Sequence, residues 1–220
     1  MTHVYNAPQA AQIQVDGWAS LSHSQTESLE FLLVDDCSQT PLELRGYGLP
    51  LRLLRITTDI PWNMAGAKNL LVSQSTADWL LFFDVDNRAE PTDIAALSLS
   101  LPQLDPRTVY MFPWKNGTPG VEMHINTFLI SREVVENAGG FDEDFCGHYG
   151  YEDVYFHYVL QRLGYNRVML TNVPFVQGLA RTEDLNRDAE RNKELAARKF
   201  NAGELPMQGL RFNWIEQRVR

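Results

Sequence analysis

The sequence is poor in cysteine, in positive charge and in long apolar runs, and each shortage excludes something. Its two cysteines, Cys37 and Cys146, form no C-x-x-C pair. At 220 residues two cysteines do not make a disulfide framework. No stretch approaches the ~20 apolar residues that a bilayer-spanning helix needs, so no transmembrane segment is expected. The opening MTHVYNAPQAAQ lacks the apolar centre of a secretory signal. A soluble, intracellular, cytoplasmic chain is expected, with at most a peripheral membrane association. With 19 Lys and Arg against 28 Asp and Glu, the formal net charge is -9. Nucleic-acid binding is not expected, because phosphate contacts need clustered Lys and Arg. An anionic substrate would need a local positive group or a metal to receive it.

What is present is ordinary globular material, 44% hydrophobic and 21% charged. The length predicts one main domain with a tail. The charge is uneven: residues 181–220 hold 9 Lys/Arg against 7 Asp/Glu, which leaves -11 on the first 180. Such a carboxylate-rich body suits a divalent-cation site, and equally a solvated acidic surface.

Pro8 suits the first turn of a helix that runs to about Ser24, with Ala11, Val15 and Trp18 at helical spacing. FLLVDD (31–36), LRLLRI (51–56) and WLLFFDVD (79–86) read as strands. TVYMFPW (108–114) and NTFLIS (126–131) are two more candidates. Helices are expected over 67–77, from Ser131 to Gly139–Gly140, over 151–163 and over 182–200. The segment 201–220, with Phe212 and Trp214, is a candidate to cover an acceptor site, to pack on the core or to pair two copies; packing is the favoured reading. Strands alternating with helices argue an α/β fold with a largely parallel sheet. Ligands of such sheets bind beyond the carboxyl ends of the strands. Both VDD and FDVD lie there.

Side chains alternate along a strand, so Asp84 and Asp86 share a face if the strand continues that far. Like charges this close must protonate or find a cation, and a hard divalent ion with oxygen ligands resolves the conflict. The chain has two D-x-D pairs, where about one is expected by chance. The second, Asp142/Asp144, sits in a loop and reads as solvated. Asp35 and Asp36 read either as turn residues or as acceptors for a ligand. Glu152 and Asp153 open a buried helix, where they either complement its dipole or include a general base.

The order VDDCS, AGAKN, LLFFDVDN, GGFDE and GYEDVYFHYVLQRLGY resembles the family 2 inverting glycosyltransferases of the GT-A fold. The segment from His124 to Tyr165 is also similar to the C-terminal part of galactosyltransferase-type enzymes. The resemblance implies a GT-A (nucleotide-diphospho-sugar transferase) fold over 1–180, a mostly parallel sheet flanked by helices, and a C-terminal helical extension over 181–220. It implies a hexosyltransferase that uses a nucleotide-sugar donor, by default a UDP-sugar, with Mn2+ or Mg2+. The acceptor would be a glycan, lipid-linked or protein hydroxyl; a homodimer is a further candidate. Carried over by motif, His3, Tyr5, Asp36, Lys68 and Asp84 fall at nucleotide positions and Asp86 at the metal position. Asn126, Gly140 and Glu152 fall on the sugar or acceptor side, and Asp153 is the general base.

Two departures stand out. Only Met1 to Val4 remain of the family's opening strand. Many relatives place a metal-binding histidine after the next strand, whereas TNVPFVQGLAR offers Gln177 as its nearest polar candidate. His124 and His148 lie elsewhere and read as surface loop residues. A nucleotidyltransferase is a weaker reading, for lack of a Gly-rich phosphate loop near the N-terminus. A catalytically inactive sugar-nucleotide-binding or assembly module with the same fold is the main alternative.

Overall fold

Among the described residues, short apolar runs that end in acids or turns form a ten-stranded sheet. The computed structural model describes residues 1–115, 122–171, 176–178, 185–206 and 209–219. The strands are β1 (Thr2–Val4), β2 (Phe31–Asp36), β3 (Leu51–Ile56), β4 (Trp79–Asp84), β5 (Asn87–Ala89), β6 (Thr108–Lys115), β7 (Met123–Ser131), β8 (Asn166–Met169), β9 (Val176–Gly178) and β10 (Trp214–Gln217). The helices are α1 (Pro8–Ala19), α2 (His23–Thr26), α3 (Met64–Gln74), α4 (Pro91–Ser100), α5 (Arg132–Asn137), α6 (Glu152–Arg162) and α7 (Glu190–Ala202). The strand order is β10-β3-β2-β1-β4-β7-β6-β9-β5, with β8 paired to β6. Strands β5, β7 and β10 are reversed; the others share one direction, so the sheet is mostly parallel as expected.

Every position of β2 is buried, as a strand covered on both faces requires. Phe31 and Leu33 face a core with Trp18 of α1 and Ile94 of α4. Leu32 and Val34 face the opposite core, with Leu70 and Leu71 of α3. A third core joins Phe82, Phe128 and Ile130 to Phe156 of α6 and Ala196 of α7. Although β1 has only three residues, it is central, hydrogen-bonded in parallel to both β2 and β4.

Several boundaries differ from the sequence expectation. Helix α1 stops at Ala19, and a capping box of Ser22 and Gln25 starts α2. Helix α3 begins three residues early, at Met64, and ends at Gln74, where Ser75 turns extended. Strand β4 ends at Asp84, and Val85–Asp86 form a turn into β5. Ser131 caps α5 as expected, its Oγ accepting from the Val134 N–H at 3.3 Å. Helix α7 covers Glu190–Ala202; 182–184 lie outside the described residues. The loop pair Asp142/Asp144 is not simply solvated. Asp142 is buried, and Lys199 Nζ donates to both carboxylates at 2.7 Å. Helix α4 was hidden by Leu99, an exposed apolar residue out of phase with buried Ile94 and Leu97. Strands β5, β8, β9 and β10 have three or four residues each, too few for a clear alternation.

Among the described residues no helix is long and apolar enough to cross a membrane. Strand β10 extends the sheet beyond β3, and Phe212 beside it is buried against the Leu32–Val34 face. Replacing Phe212 by Ala should lower the unfolding free energy by about 3 kcal/mol, measured by urea denaturation. A loss below about 0.5 kcal/mol, a typical surface effect, would show that this segment is not part of the cooperative core.

Candidate active site

The carboxyl ends of β1, β2 and β4 open onto one cleft. Register places His3 beside Asp84 and Val4 beside Asp35. The cleft has a volume of about 360 Å³, and its walls include His3, Tyr5, Asp36, Trp62, Asp84 and Asp86. Asp59 adds a further carboxylate, and Arg187 contributes the cationic group. A diphosphate would meet strong repulsion here without a bridging cation.

Alternation along β2 separates its two terminal acids. Asp35 turns inward and is consumed by structure: it accepts from the Ser38 and Leu42 N–H groups at 2.9 and 3.2 Å, and pairs with Arg55. Asp36 faces the cleft and accepts from Asn63 Nδ2 at 3.0 Å. Burial pushes the Asp36 carboxyl up to about 7, opposed by the Asn63 hydrogen bond and reinforced by Asp35 and Asp59. Burial also pushes His3 down to about 4, with Lys68 adding and Asp84 opposing, so its ring is neutral near pH 7. Tyr5 stands exposed at the rim.

Asp84, Asp86 and His124 bring one ligand atom each to within 4.8 Å of one another. His124 Nε2 lies 3.7 Å from Asp84 Oδ2, and its ring meets the Trp114 ring edge-on at 4.8 Å. His124 is therefore no surface loop residue: it belongs to β7 and faces the D-x-D acids. The reason is register. In the antiparallel pair of β4 and β7, Phe82 opposes Phe128. Beyond that pair, Asn126 Nδ2 reaches Asp84 Oδ2 at 3.2 Å, and His124 approaches the same carboxylate. Val85–Asp86 form a turn beyond β4, where Asn87 Nδ2 donates to Asp86 Oδ1 at 3.0 Å. An H-x-N sequence opening the strand antiparallel to D-x-D was the available signal, but it requires knowing the pairing. Gln177 lies in β9, its backbone opposite Arg88 and Lys115.

Below the cleft lies a buried polar network. Lys68 of α3 is 2% exposed; its Nζ donates to Asn126 Oδ1 at 2.5 Å and Glu152 Oε1 at 3.2 Å, over the Phe141 ring. Burial alone would lower the Lys68 pKa, but Glu152, Asp84 and Asp153 outweigh it and the net shift is upward. Burial pushes Glu152 up, against the pull of Lys68. Asn126 Nδ2 donates to Asp84 Oδ2 at 3.2 Å and to Asp153 Oδ2 at 3.1 Å. Asp153 stands in the first turn of α6, and its other oxygen accepts from the Val154 N–H at 2.7 Å. The chain enters α6 through two left-handed residues, Gly150 (φ 83°) and Tyr151 (φ 69°), and the second is a costly conformation outside glycine. His157, one turn after Asp153, is pushed down to about 4 by burial, and its Nε2 lies 3.0 Å from the Ile125 carbonyl oxygen.

The structure thus brings His3, Tyr5, Asp36, Asp84 and Asp86 to one cleft, with Lys68, Asn126, Glu152 and Asp153 joined to Asp84 beneath it. Gly140 lies apart. It lines a different cavity, between α3 and α5, where a Cβ would come within 2.7 Å of Asn69 Oδ1. His148 is not in the Asp84–Asp86–His124 group, and its carbonyl accepts from Asn192 Nδ2 at 2.9 Å.

The family model Glycosyl transferase family 2 matches residues 4–168. The chain belongs to glycosyl transferase family 2. No curated protein sequence matches it. Among solved structures, the fold of this family 2 chain is similar to S. aureus TarS 1-349 in complex with UDP-GlcNAc. The TM-score is 0.65 at 15% identity, over 83% of this chain and 58% of that one. It is also similar to the mannosyltransferase PcManGT from Pyrobaculum calidifontis in complex with GDP-Man and Mn2+. There the TM-score is 0.62 at 17% identity, over 93% of this chain and 64% of that one. The chain thus spans less than two thirds of either neighbour.

The Asp36 carboxyl gives a pH test of the cleft. An unfolded Asp36 releases its proton near 3.8, the folded one near 7. Between those values the native state binds more protons, so this group's contribution to stability falls as pH rises from about 4 to 7. Asp36→Asn should therefore gain on the parent chain across that window, by on the order of 3 kcal/mol in total. Urea unfolding at steps from pH 4 to pH 8 measures it; a difference that does not vary with pH would refute the assignment.

Proposed function

We propose that this chain transfers a sugar from a nucleotide-diphosphate donor, UDP-linked by default, to an acceptor hydroxyl with inversion, Asp153 acting as general base. The observation that carries this reading is the single Asn126 amide nitrogen that bonds Asp84 and Asp153 together. It sets the Asp153 carboxylate on α6 across from the acids proposed to meet the donor.

In this reading Tyr5 stacks on the nucleotide base and Asp36 accepts its N–H, with His3 alongside. Lys68 contributes its charge from beneath the cleft. Asp84, Asp86 and His124 fit a divalent cation, offering two carboxylates and an imidazole. The imidazole favours Mn2+ over Mg2+, whose usual ligands are oxygens. Bound there, the ion would supply positive charge to the diphosphate as it leaves. The Mn2+ and GDP-Man of one structural neighbour and the UDP-GlcNAc of another support a diphospho-sugar donor.

An acceptor hydroxyl has a pKa far above 7, so its proton must pass to a base as it attacks. The acceptor oxygen forms a bond to the anomeric carbon on the face opposite the leaving group. The bond from that carbon to the diphosphate oxygen breaks, and its electron pair leaves with the nucleotide. The acceptor proton goes to the Asp153 carboxylate. One displacement inverts the anomeric centre. The acceptor class stays open to glycan, lipid-linked and protein hydroxyls.

Asp153→Asn should reduce transfer by on the order of 10²–10⁴-fold, the usual worth of a positioned base. Stabilisation by UDP with Mn2+ in a thermal shift should stay nearly unchanged. Retained transfer in that variant would sink the base assignment. A parent chain that responds to neither UDP nor GDP with Mn2+ would sink the donor assignment.

A further inference from the structure

The motif reading puts Asn126 on the sugar or acceptor side, yet its amide is already spoken for. Lys68 Nζ can only donate, so the Asn126 oxygen must face it, at 2.5 Å. That fixes the amide's orientation without ambiguity. The NH2 group then points to the cleft, and its two hydrogens meet Asp84 Oδ2 at 3.2 Å and Asp153 Oδ2 at 3.1 Å. Asn126 is buried, so no amide hydrogen is left for a sugar hydroxyl. Asp153 itself is only partly buried and sits at the start of a helix entered through left-handed residues. Its carboxylate has few other restraints: the Val154 N–H on Oδ1 and Asn126 on Oδ2.

We propose that Asn126 is a positioning residue: Lys68 and Asp84 hold its amide from two sides, and its remaining N–H aims the Asp153 carboxylate at the acceptor proton. This rests on Asp153 being the base. Two substitutions separate donation from mere packing. Asn126→Ala removes the amide. Asn126→Asp keeps the shape and keeps an oxygen for Lys68, but presents an acceptor where Asp153 needs a donor.

The test is steady-state transfer from a UDP-sugar with Mn2+, together with calorimetric binding of UDP and Mn2+ to the whole chain. Both variants should lose 10–100-fold in kcat, the range for a residue that orients a reacting ligand. Asn126 also bonds Asp84, a candidate ligand, so UDP–Mn2+ affinity falls in Asn126→Ala as well. The positioning role is read in kcat at saturating donor and Mn2+; a kcat that returns there to within threefold of the parent would make Asn126 part of the donor site only and overturn the proposal. If Asn126→Asp keeps kcat within threefold, Asn126 serves only as an acceptor for Lys68, and the positioning role is overturned. If the parent chain shows no transfer, or Asp153→Asn stays active, the function reading fails and takes this role with it. An active parent, an inactive Asp153→Asn and active Asn126 variants would sink the positioning role alone.

Discussion

The buried ammonium of Lys68 is the constraint on which the site depends. An unpaired charge in that position would be strongly destabilising, so the surroundings must supply carboxylate and carbonyl oxygens. Glu152 and Asn126 do so from two other elements, α6 and β7. One cation on α3 thereby fixes a helix start and a strand in relation to each other. The residues next to those partners in chain or register, Asp153 and Asp84, inherit their positions.

The same charge addresses the conflict posed by so many acids at one sheet edge. Lys68 offsets Glu152, Asp84 and Asp153 from below, as the upward shift of its own pKa reflects. It does not reach the outer acids. Burial pushes the Asp36 carboxyl up to about 7. Asp84, offset from below, also belongs to an outer cluster with Asp86 and the His124 imidazole. The cleft is therefore divided into a layer already compensated by protein and a layer that can take up external positive charge.

Much of this was legible in the sequence because strand patterning is strong where both faces are covered. FLLVDD and LRLLRI matched β2 and β3 residue for residue. The acids at their ends could be assigned to one edge on that basis. What could not be read was anything that depends on which strands pair. Asp142/Asp144 looked like a solvated loop because Lys199 lies some fifty residues away in sequence. His124 looked like a stray loop histidine because its approach to Asp84 appears only when β4 and β7 are side by side. Gly140 was attractive as part of a motif, whereas the structure shows a backbone constraint, the close approach of Asn69.

The pairing of β7 with β4 also determines which sequence changes the site can absorb. His124 and Asn126, two residues apart near the start of β7, both reach Asp84 Oδ2, at 3.7 and 3.2 Å. Substitution alters them one at a time. A single-residue insertion or deletion between Asn126 and Phe128 would instead displace both side chains together relative to Asp84, because their register is counted from Phe128. The aromatic anchor of Phe82 against Phe128, at 5.1 Å between ring centroids, holds that count. The core of the protein thus acts as the ruler for its cleft: tolerant of exchange at a position, intolerant of a change in length.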